Sequence, residues 1–159
     1  FLLLWRARGG VVTLGYPLSE ATLDANGRWR QVFERGLLTL PAAGYVADLA
    51  SAPLVVVEAL GRELTAGREE EPAFRPAPLP AGGEALHFPA TGHTLAGAFR
   101  AHWLATDGLT TLGLPISEQM TEAGLTVQWF ERGRLEFDAA TATVRRTAVG
   151  RLASNLAFD

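Results

Sequence analysis

The chain has 159 residues and a formal net charge of -3, with 48% apolar and 19% charged residues, which is typical of a globular protein rather than a disordered one. The acidic balance argues against nucleic-acid binding, which normally requires a basic face. Cysteine is absent, so disulfides, thiol catalysis and thiolate metal sites are excluded. Because no apolar run reaches the roughly eighteen residues needed to cross a bilayer, we predict no membrane span in this segment.

The first predicted element is a short amphipathic helix that carries Phe1 and Trp5 on one apolar face. A rigid turn follows at residues 14–17, since Gly permits left-handed backbone angles and Pro fixes φ. The Ser-Glu pair after this turn can begin another short helix. Residues 28–40 are predicted to form a β-hairpin that turns at a Glu-Arg-Gly sequence. Residues 55–64 are predicted to form a closing helix.

The same order of elements returns in the second half of the chain. When Phe1 is set against Phe99, Trp5 aligns with Trp103, and a one-residue deletion then aligns Glu34 with Glu131. About 17 of roughly 39 aligned positions are identical, far above chance, so the chain is a tandem repeat. In the second copy the predicted elements are a helix from Leu95 to Trp103, a turn at 112–115, a hairpin over 125–137 and a closing helix over 144–156.

The segment between the copies is rich in Glu and Pro, and its spaced prolines favour an extended polyproline II spacer. The second copy also has a lead-in, His87 to His93, that has no counterpart in the first. We therefore predict an α+β fold of two tandem modules. Residues 1–67 are the first module, expected to be truncated at its N-terminus; residues 68–86 are the linker; residues 87–159 are the second module.

Four recurring glutamates could carry acid–base chemistry: Glu20, Glu34, Glu118 and Glu131. A carboxylate beside a cation can act as a general base, and two carboxylates can form a glycosidase pair. A catalytic dyad, however, needs two unlike environments in one cleft, whereas this set recurs whole. We therefore predict that the Glu-Arg pairs order the hairpin turns by bonding to the backbone or to another element, that the protein is not an enzyme, and that it uses no cofactor.

The three histidines, His87, His93 and His102, lack the spacing that makes metal ligands converge, so no metal site is predicted. His93 is expected to cap the start of a helix.

The aromatic residues indicate a binding surface more directly, because sugars stack on flat apolar rings and ligand clefts are commonly aromatic. Trp5 and Trp103 recur on the helix face and are predicted to lie in the core. Trp29 and Trp129 do not align with each other, so each is freer to lie on the surface. The recurring glutamines offer amide groups that can form hydrogen bonds either to a ligand or equally to the sheet. The predicted ligand-binding residues are Tyr16, Trp29, Gln31, Gln128 and Trp129.

The sequences Leu14-Gly15-Tyr16-Pro17 and Leu112-Gly113-Leu114-Pro115 resemble the LGFP repeats of bacterial cell-surface proteins. The wider pattern is similar to tandem modules in exported proteins of Chloroflexi-type bacteria, and copy two matches it from Phe88-Pro89 through the Gln128 to Arg132 segment. It departs at Leu114, where an aromatic residue is usual. The resemblance implies an extracellular or cell-surface location and a non-catalytic role.

Two functions are favoured on these grounds, and a hydrolase fragment is the third and weakest hypothesis. The first is a repeat module that binds cell-wall polysaccharide or another glycan at the bacterial surface. The alternative is a structural or interaction subunit of an extracellular assembly, in which the aromatic residues pack against another envelope protein.

Overall fold

A computed structural model describes residues 1–40, 56–79 and 81–156. The chain divides into two compact units, and the division does not follow the predicted module boundaries. Unit 1 comprises Phe1–Leu60 together with the C-terminal segment from Ala148, and unit 2 comprises Gly61–Thr147. Each unit combines short helices with an antiparallel sheet, which confirms the α+β class.

Unit 1 is built around a four-stranded antiparallel meander, in which the strands pair in the order in which they follow one another along the chain. Its helices are short, and the final helix of the chain belongs to this unit. Its elements are α1 Leu2–Ala7, α2 Gly10–Thr13, β1 Thr22–Leu23, β2 Trp29–Phe33, β3 Gly36–Leu40, β4 Val56–Val57 and α6 Val149–Leu156.

Unit 2 repeats this arrangement and adds a small two-stranded sheet in front of it. Its second sheet is a four-stranded antiparallel meander, in which the strands also pair in chain order. A 3-10 helix, Pro72–Phe74, precedes the small sheet. The remaining elements are α3 Leu60–Leu64, which begins at the unit boundary, β5 Leu86–Phe88, β6 His93–Leu95, α4 Gly97–Ala105, α5 Gly108–Thr111, β7 Met120–Glu122, β8 Leu125–Phe130, β9 Gly133–Asp138 and β10 Thr143–Arg146.

Both predicted hairpins are confirmed, and each pairs as expected around its Glu-Arg turn. Phe33 pairs with Gly36 in unit 1, and Phe130 pairs with Gly133 in unit 2. Alternate side chains of each hairpin point into the core of its unit, because strand neighbours face opposite sides of the sheet. The buried clusters include Leu4, Leu14, Phe33, Leu38 and Leu40 in unit 1, and Leu95, Phe99, Trp103, Leu112, Phe130 and Leu135 in unit 2.

The predicted closing helices begin later than expected. Residues 143–146 form strand β10, which pairs with β9, and the helix starts only at Val149. In the first copy, residues 56–57 form strand β4 before α3, and Val55 lies outside the described residues. The β-branched residues of these segments favour strand pairing.

The Ser-Glu pairs and the Pro-rich segment also differ from prediction. Strand β7 follows Glu118 closely, where a helix had been expected. The segment from Arg68 to Leu79 packs within unit 2 instead of forming a free spacer: the Ala77 N–H donates to the Gly92 carbonyl at 2.8 Å, and the Glu118 N–H donates to the Ala73 carbonyl at 2.7 Å. In the described ranges, no helix has both the length and the apolar character needed to cross a membrane.

Candidate functional site

The Gly-Pro turn is held in the same way in both units. Gly15 has a φ of +78°, and the indole of Trp5 donates a 2.7 Å hydrogen bond to its carbonyl oxygen. Gly113 also has a φ of +78°, and Trp103 Nε1 donates to its carbonyl at 3.0 Å. Since other residues are strained in this left-handed region, the repeated glycine is a backbone requirement. Both indoles pack on the core of their unit, as predicted.

The glutamate of the unit 1 hairpin turn bonds to two other elements. Glu34 Oε2 accepts a 3.2 Å hydrogen bond from the Tyr16 N–H, and Oε1 accepts one of 2.7 Å from Arg151 on α6. The bond from Arg151 is the largest cause that lowers the pKa of the Glu34 carboxyl. Gly150 lets α6 approach this turn, because a Cβ there would lie 1.8 Å from the Phe33 carbonyl oxygen.

Unit 2 repeats these contacts with Glu131 and the segment from α3. Glu131 Oε2 accepts from the Leu114 N–H at 3.1 Å, and Oε1 accepts from Arg62 at 2.8 Å. A Cβ on Gly61 would lie 1.9 Å from the Phe130 carbonyl oxygen. Burial raises the pKa of the Glu131 carboxyl, but the hydrogen bonds from Arg62 and the Leu114 N–H lower it below its usual value. The Glu-Arg turns therefore make the structural contacts that were predicted.

An open groove of about 190 Å³ lies on unit 1. We call it the unit 1 groove; it is lined by Leu2, Trp5, Tyr16, Pro17, Gln31 and Phe33. Tyr16 is 61% exposed, and the Gln31 amide donates a 3.0 Å bond to the Ser19 carbonyl. The structure thus brings together two of the predicted ligand-binding residues, Tyr16 and Gln31.

Trp29 lies on the same face of β2 as Gln31 and Phe33, because these positions alternate along the strand. Its side chain is 39% exposed, which agrees with its predicted position on the surface.

The predicted surface position of Trp129 is wrong, and Gln128, a candidate ligand-binding residue, uses its amide within the protein. Trp129 is 3% exposed, donates its indole N–H to Glu122 at 3.0 Å and stacks against the guanidinium of Arg134. Gln128 is fully buried and donates to the carbonyls of Thr94 and Ser117 at 2.7 and 2.8 Å. Internal partners already use these polar groups, so neither residue forms part of the sites proposed below.

A second depression, of about 300 Å³, lies within unit 2. We call it the unit 2 cleft; its lining includes Arg62, Glu69, Phe74, Thr91, His93 and Ile116. Arg68 lies over the Phe74 ring, with its guanidinium carbon 4.6 Å from the ring centroid, and this contact fixes one face of the aromatic wall. The lining thus combines a cation, a carboxylate, a hydroxyl and an apolar wall.

His93 lies in strand β6 beside this cleft, so its predicted role as a helix cap is wrong. Its Nδ1 is 3.3 Å from Glu118 Oε1, and its side chain is buried. Burial lowers the pKa of His93 despite the opposing effect of the Glu118 carboxylate, so the ring is neutral at neutral pH. Within residues 1–40, 56–79 and 81–156, no group of three or more His, Asp and Glu side chains is placed to hold a metal ion.

Sequence reasoning missed most of the cleft, because its residues come from three separate segments. Arg62 belongs to the segment Ala-Leu-Gly-Arg at residues 59–62, which resembles Ala-Val-Gly-Arg at residues 148–151 and by itself indicates a repeat but no binding site. Phe74 lies in the segment that was predicted to be a spacer. An Arg and a Phe on either side of the three consecutive glutamates are compatible with the contact between Arg68 and the Phe74 ring. Nothing in that pattern, however, indicates a cleft. No protein-family model matches the chain, and no match is found among curated proteins, so the functional proposals depend on the geometry of the groove and the cleft.

Proposed function

We propose that this protein is a non-catalytic module of the bacterial cell surface that binds cell-wall polysaccharide or another glycan in the unit 2 cleft. The observation that carries the proposal is the mixed lining of the cleft, where polar side chains surround the Phe74 wall. Its volume of about 300 Å³ is at the lower end of the range for small-molecule sites, roughly 300–1,000 Å³, and suits one or two sugar rings.

The polar groups of the cleft match the hydroxyls of a sugar. Arg62 is half-exposed and presents guanidinium donors, while the exposed Glu69 carboxylate accepts hydrogen bonds. Neutral His93, with Nδ1 turned to Glu118, keeps Nε2 as an acceptor when Nδ1 carries the proton. Sugar hydroxyls both donate and accept, so this alternation of donors and acceptors favours a neutral polyol over a simple anion or cation.

The behaviour of the glutamates supports a non-catalytic role. A general acid that works near neutral pH needs a raised pKa. Here hydrogen bonds hold the pKa values of Glu34, Glu69 and Glu131 below their usual range. Glu34 and Glu131 are also committed to arginine partners in the hairpin turns.

The test is a binding titration of the full chain with solubilised cell-wall polysaccharide and with defined oligosaccharides. We expect Glu69→Gln and Phe74→Ala each to weaken binding by about fivefold or more, since each removes one of the few contacts of a small site. Trp29→Ala is the matched control: it removes an exposed aromatic residue from unit 1 and should leave glycan affinity unchanged.

Absence of glycan binding by the unmodified chain would refute the proposed function. If Trp29→Ala lost glycan binding while Phe74→Ala kept the affinity of the unmodified chain, the cleft would be refuted as the binding site. A role as an interaction subunit is the second candidate, and the open unit 1 groove is the specific observation that favours it.

A further inference from the structure

The aromatic wall of the unit 2 cleft belongs to a short segment, residues 67–77, which we call the wall segment. Phe74 ends the 3-10 helix of this segment, and the Glu69 carboxylate accepts a 3.0 Å bond from the Gly67 N–H. Both side chains line the cleft, and neither residue lies in a strand. The shape of the cleft therefore depends on what fastens the wall segment to the sheet of unit 2.

Two backbone hydrogen bonds fasten the wall segment on either side of Phe74. The Glu118 N–H donates to the Ala73 carbonyl at 2.7 Å, and the Ala77 N–H donates to the Gly92 carbonyl at 2.8 Å. These bonds place the backbone but leave the side-chain torsions of Phe74 a choice of rotamers. A side-chain contact is needed to hold the ring in one orientation.

Arg68 supplies this contact. Its guanidinium carbon lies 4.6 Å from the centroid of the Phe74 ring, within the range of a cation–π interaction. Its Nε and Nη2 each donate a 2.8 Å bond to Glu71, and its Nη1 lies 2.8 Å from Glu122 Oε1 on strand β7. One planar group therefore covers the ring, pairs within the wall segment and joins that segment to the sheet.

The carboxylate that receives Arg68 is itself fixed in the sheet. Glu122 accepts a 2.7 Å bond from Arg134 Nη1 and a 3.0 Å bond from the Trp129 indole. The side chains of Arg68 and Glu122 are only 27% and 19% exposed, so water and salt screen their attraction less than that of a surface pair. The position of the guanidinium over the ring is thus determined by the strands and not by the wall segment alone.

We propose that Arg68 is a positioning residue of the glycan site, which holds the Phe74 ring in the orientation on which a sugar ring stacks. This inference rests on the proposed glycan function and deepens it. Arg68 does not line the cleft, so it acts on the ligand through Phe74. An aromatic wall that is already held loses little side-chain entropy when a sugar binds, and affinity increases accordingly.

The test repeats the titration with solubilised cell-wall polysaccharide on variants of the full chain. We expect Arg68→Gln to weaken binding about tenfold, because the ring and the wall segment both become freer to move. Arg68→Lys should lie between Arg68→Gln and the unmodified chain, since lysine can keep the ion pair with Glu122 but not the planar contact with the ring. Arg75→Gln is the matched control: it removes an arginine of the same segment from an exposed ion pair with Glu70, and affinity should be unchanged.

A double variant separates positioning from a general loss of stability. If Arg68 acts through the ring, Arg68→Gln should cost clearly less affinity in the Phe74→Ala background than in the unmodified chain, because the effects of residues in contact are not additive. Hydrogen exchange provides a measurement that needs no ligand. The Glu118 and Ala77 N–H groups, which fasten the wall segment, should exchange about tenfold faster in Arg68→Gln.

Unchanged polysaccharide affinity in Arg68→Gln would overturn the proposal. Full additivity in the double variant would also overturn it, because Arg68 would then act elsewhere than through the ring. If the unmodified chain binds no polysaccharide, the proposed glycan function fails, and hydrogen exchange decides the role of Arg68 separately. Unchanged protection in Arg68→Gln would then overturn its positioning of the wall segment, and faster exchange would support it.

Discussion

The close approach of α6 to the unit 1 hairpin gives a sharp prediction for Gly150→Ala. A Cβ at this position would lie 1.8 Å from the Phe33 carbonyl oxygen, and real Cβ atoms essentially never come closer than 3.0 Å to such an atom, so the helix must retreat by about 1.2 Å. That movement also strains the 3.0 Å bond from the Gly150 N–H to the Glu34 carbonyl. Helix propensity favours Ala over Gly by at most about 1 kcal/mol, whereas overpacking costs about 1–3 kcal/mol.

We therefore expect Gly150→Ala to lower the free energy of unfolding by about 1–2 kcal/mol in urea titrations followed by circular dichroism. Gly61→Ala should behave alike, because its Cβ would lie 1.9 Å from the Phe130 carbonyl. Gly83→Ala is the control: its Cβ meets nothing within 4 Å, so its stability should be unchanged. A stabilised Gly150→Ala variant would show that helix propensity outweighs the contact and would refute the reasoning.

Three further changes test polar side chains that form hydrogen bonds within the units. Ser117→Ala removes the acceptor of the 3.0 Å bond from the Trp129 N–H and should lower the free energy of unfolding by about 1–3 kcal/mol in urea titrations. Ser19→Ala, at the exposed equivalent position, should lower it less because water replaces the hydroxyl. Because the pKa of Glu131 is lowered, its ionised carboxylate stabilises the fold above pH 4.5, and this stabilisation is lost as the pH falls further. Glu131→Gln should therefore reduce the dependence of the free energy of unfolding on pH in acid-denaturation experiments. The lowered pKa of His93 makes stability fall as pH drops below 6.5, and His93→Gln should reduce that slope in pH-dependent melting.

The repeat and the hairpins could be predicted because local rules determine them. Alternating residues with a Glu-Arg-Gly turn define each hairpin, and the Gly-Pro turn needs a left-handed glycine whatever surrounds it. The helices were predicted less well at their starts: Leu95 follows the helical spacing of Phe99 and Trp103, yet it lies in strand β6. Periodicity alone does not distinguish a helix from a strand that buries the same side chain.

The units could not be predicted because their boundaries depend on contacts distant in sequence. The segments with Gly61-Arg62 and Gly150-Arg151 look like the ends of their own copies, but each lies on the hairpin turn of the other copy. In both contacts an arginine pairs with the glutamate of the hairpin turn, and a glycine packs against a backbone carbonyl of that turn. Either segment therefore has the chemistry to fit either turn. Sequence patterns therefore identify the contact type but leave the partner undetermined, and packing decides it.

Comparison of the two copies changes where a binding surface should be sought. Substitution between the copies predicts that Trp29 and Trp129 are exposed, yet Trp129 is buried against Glu122 and Arg134. The shared residues Gln31 and Gln128 both donate to the carbonyl of the equivalent serine, Ser19 or Ser117, at 3.0 and 2.8 Å, and Gln128 donates a further bond to the Thr94 carbonyl. Substitution between copies is therefore a poor guide to exposure in this chain, because the indole of Trp129 finds internal partners in Glu122 and Arg134.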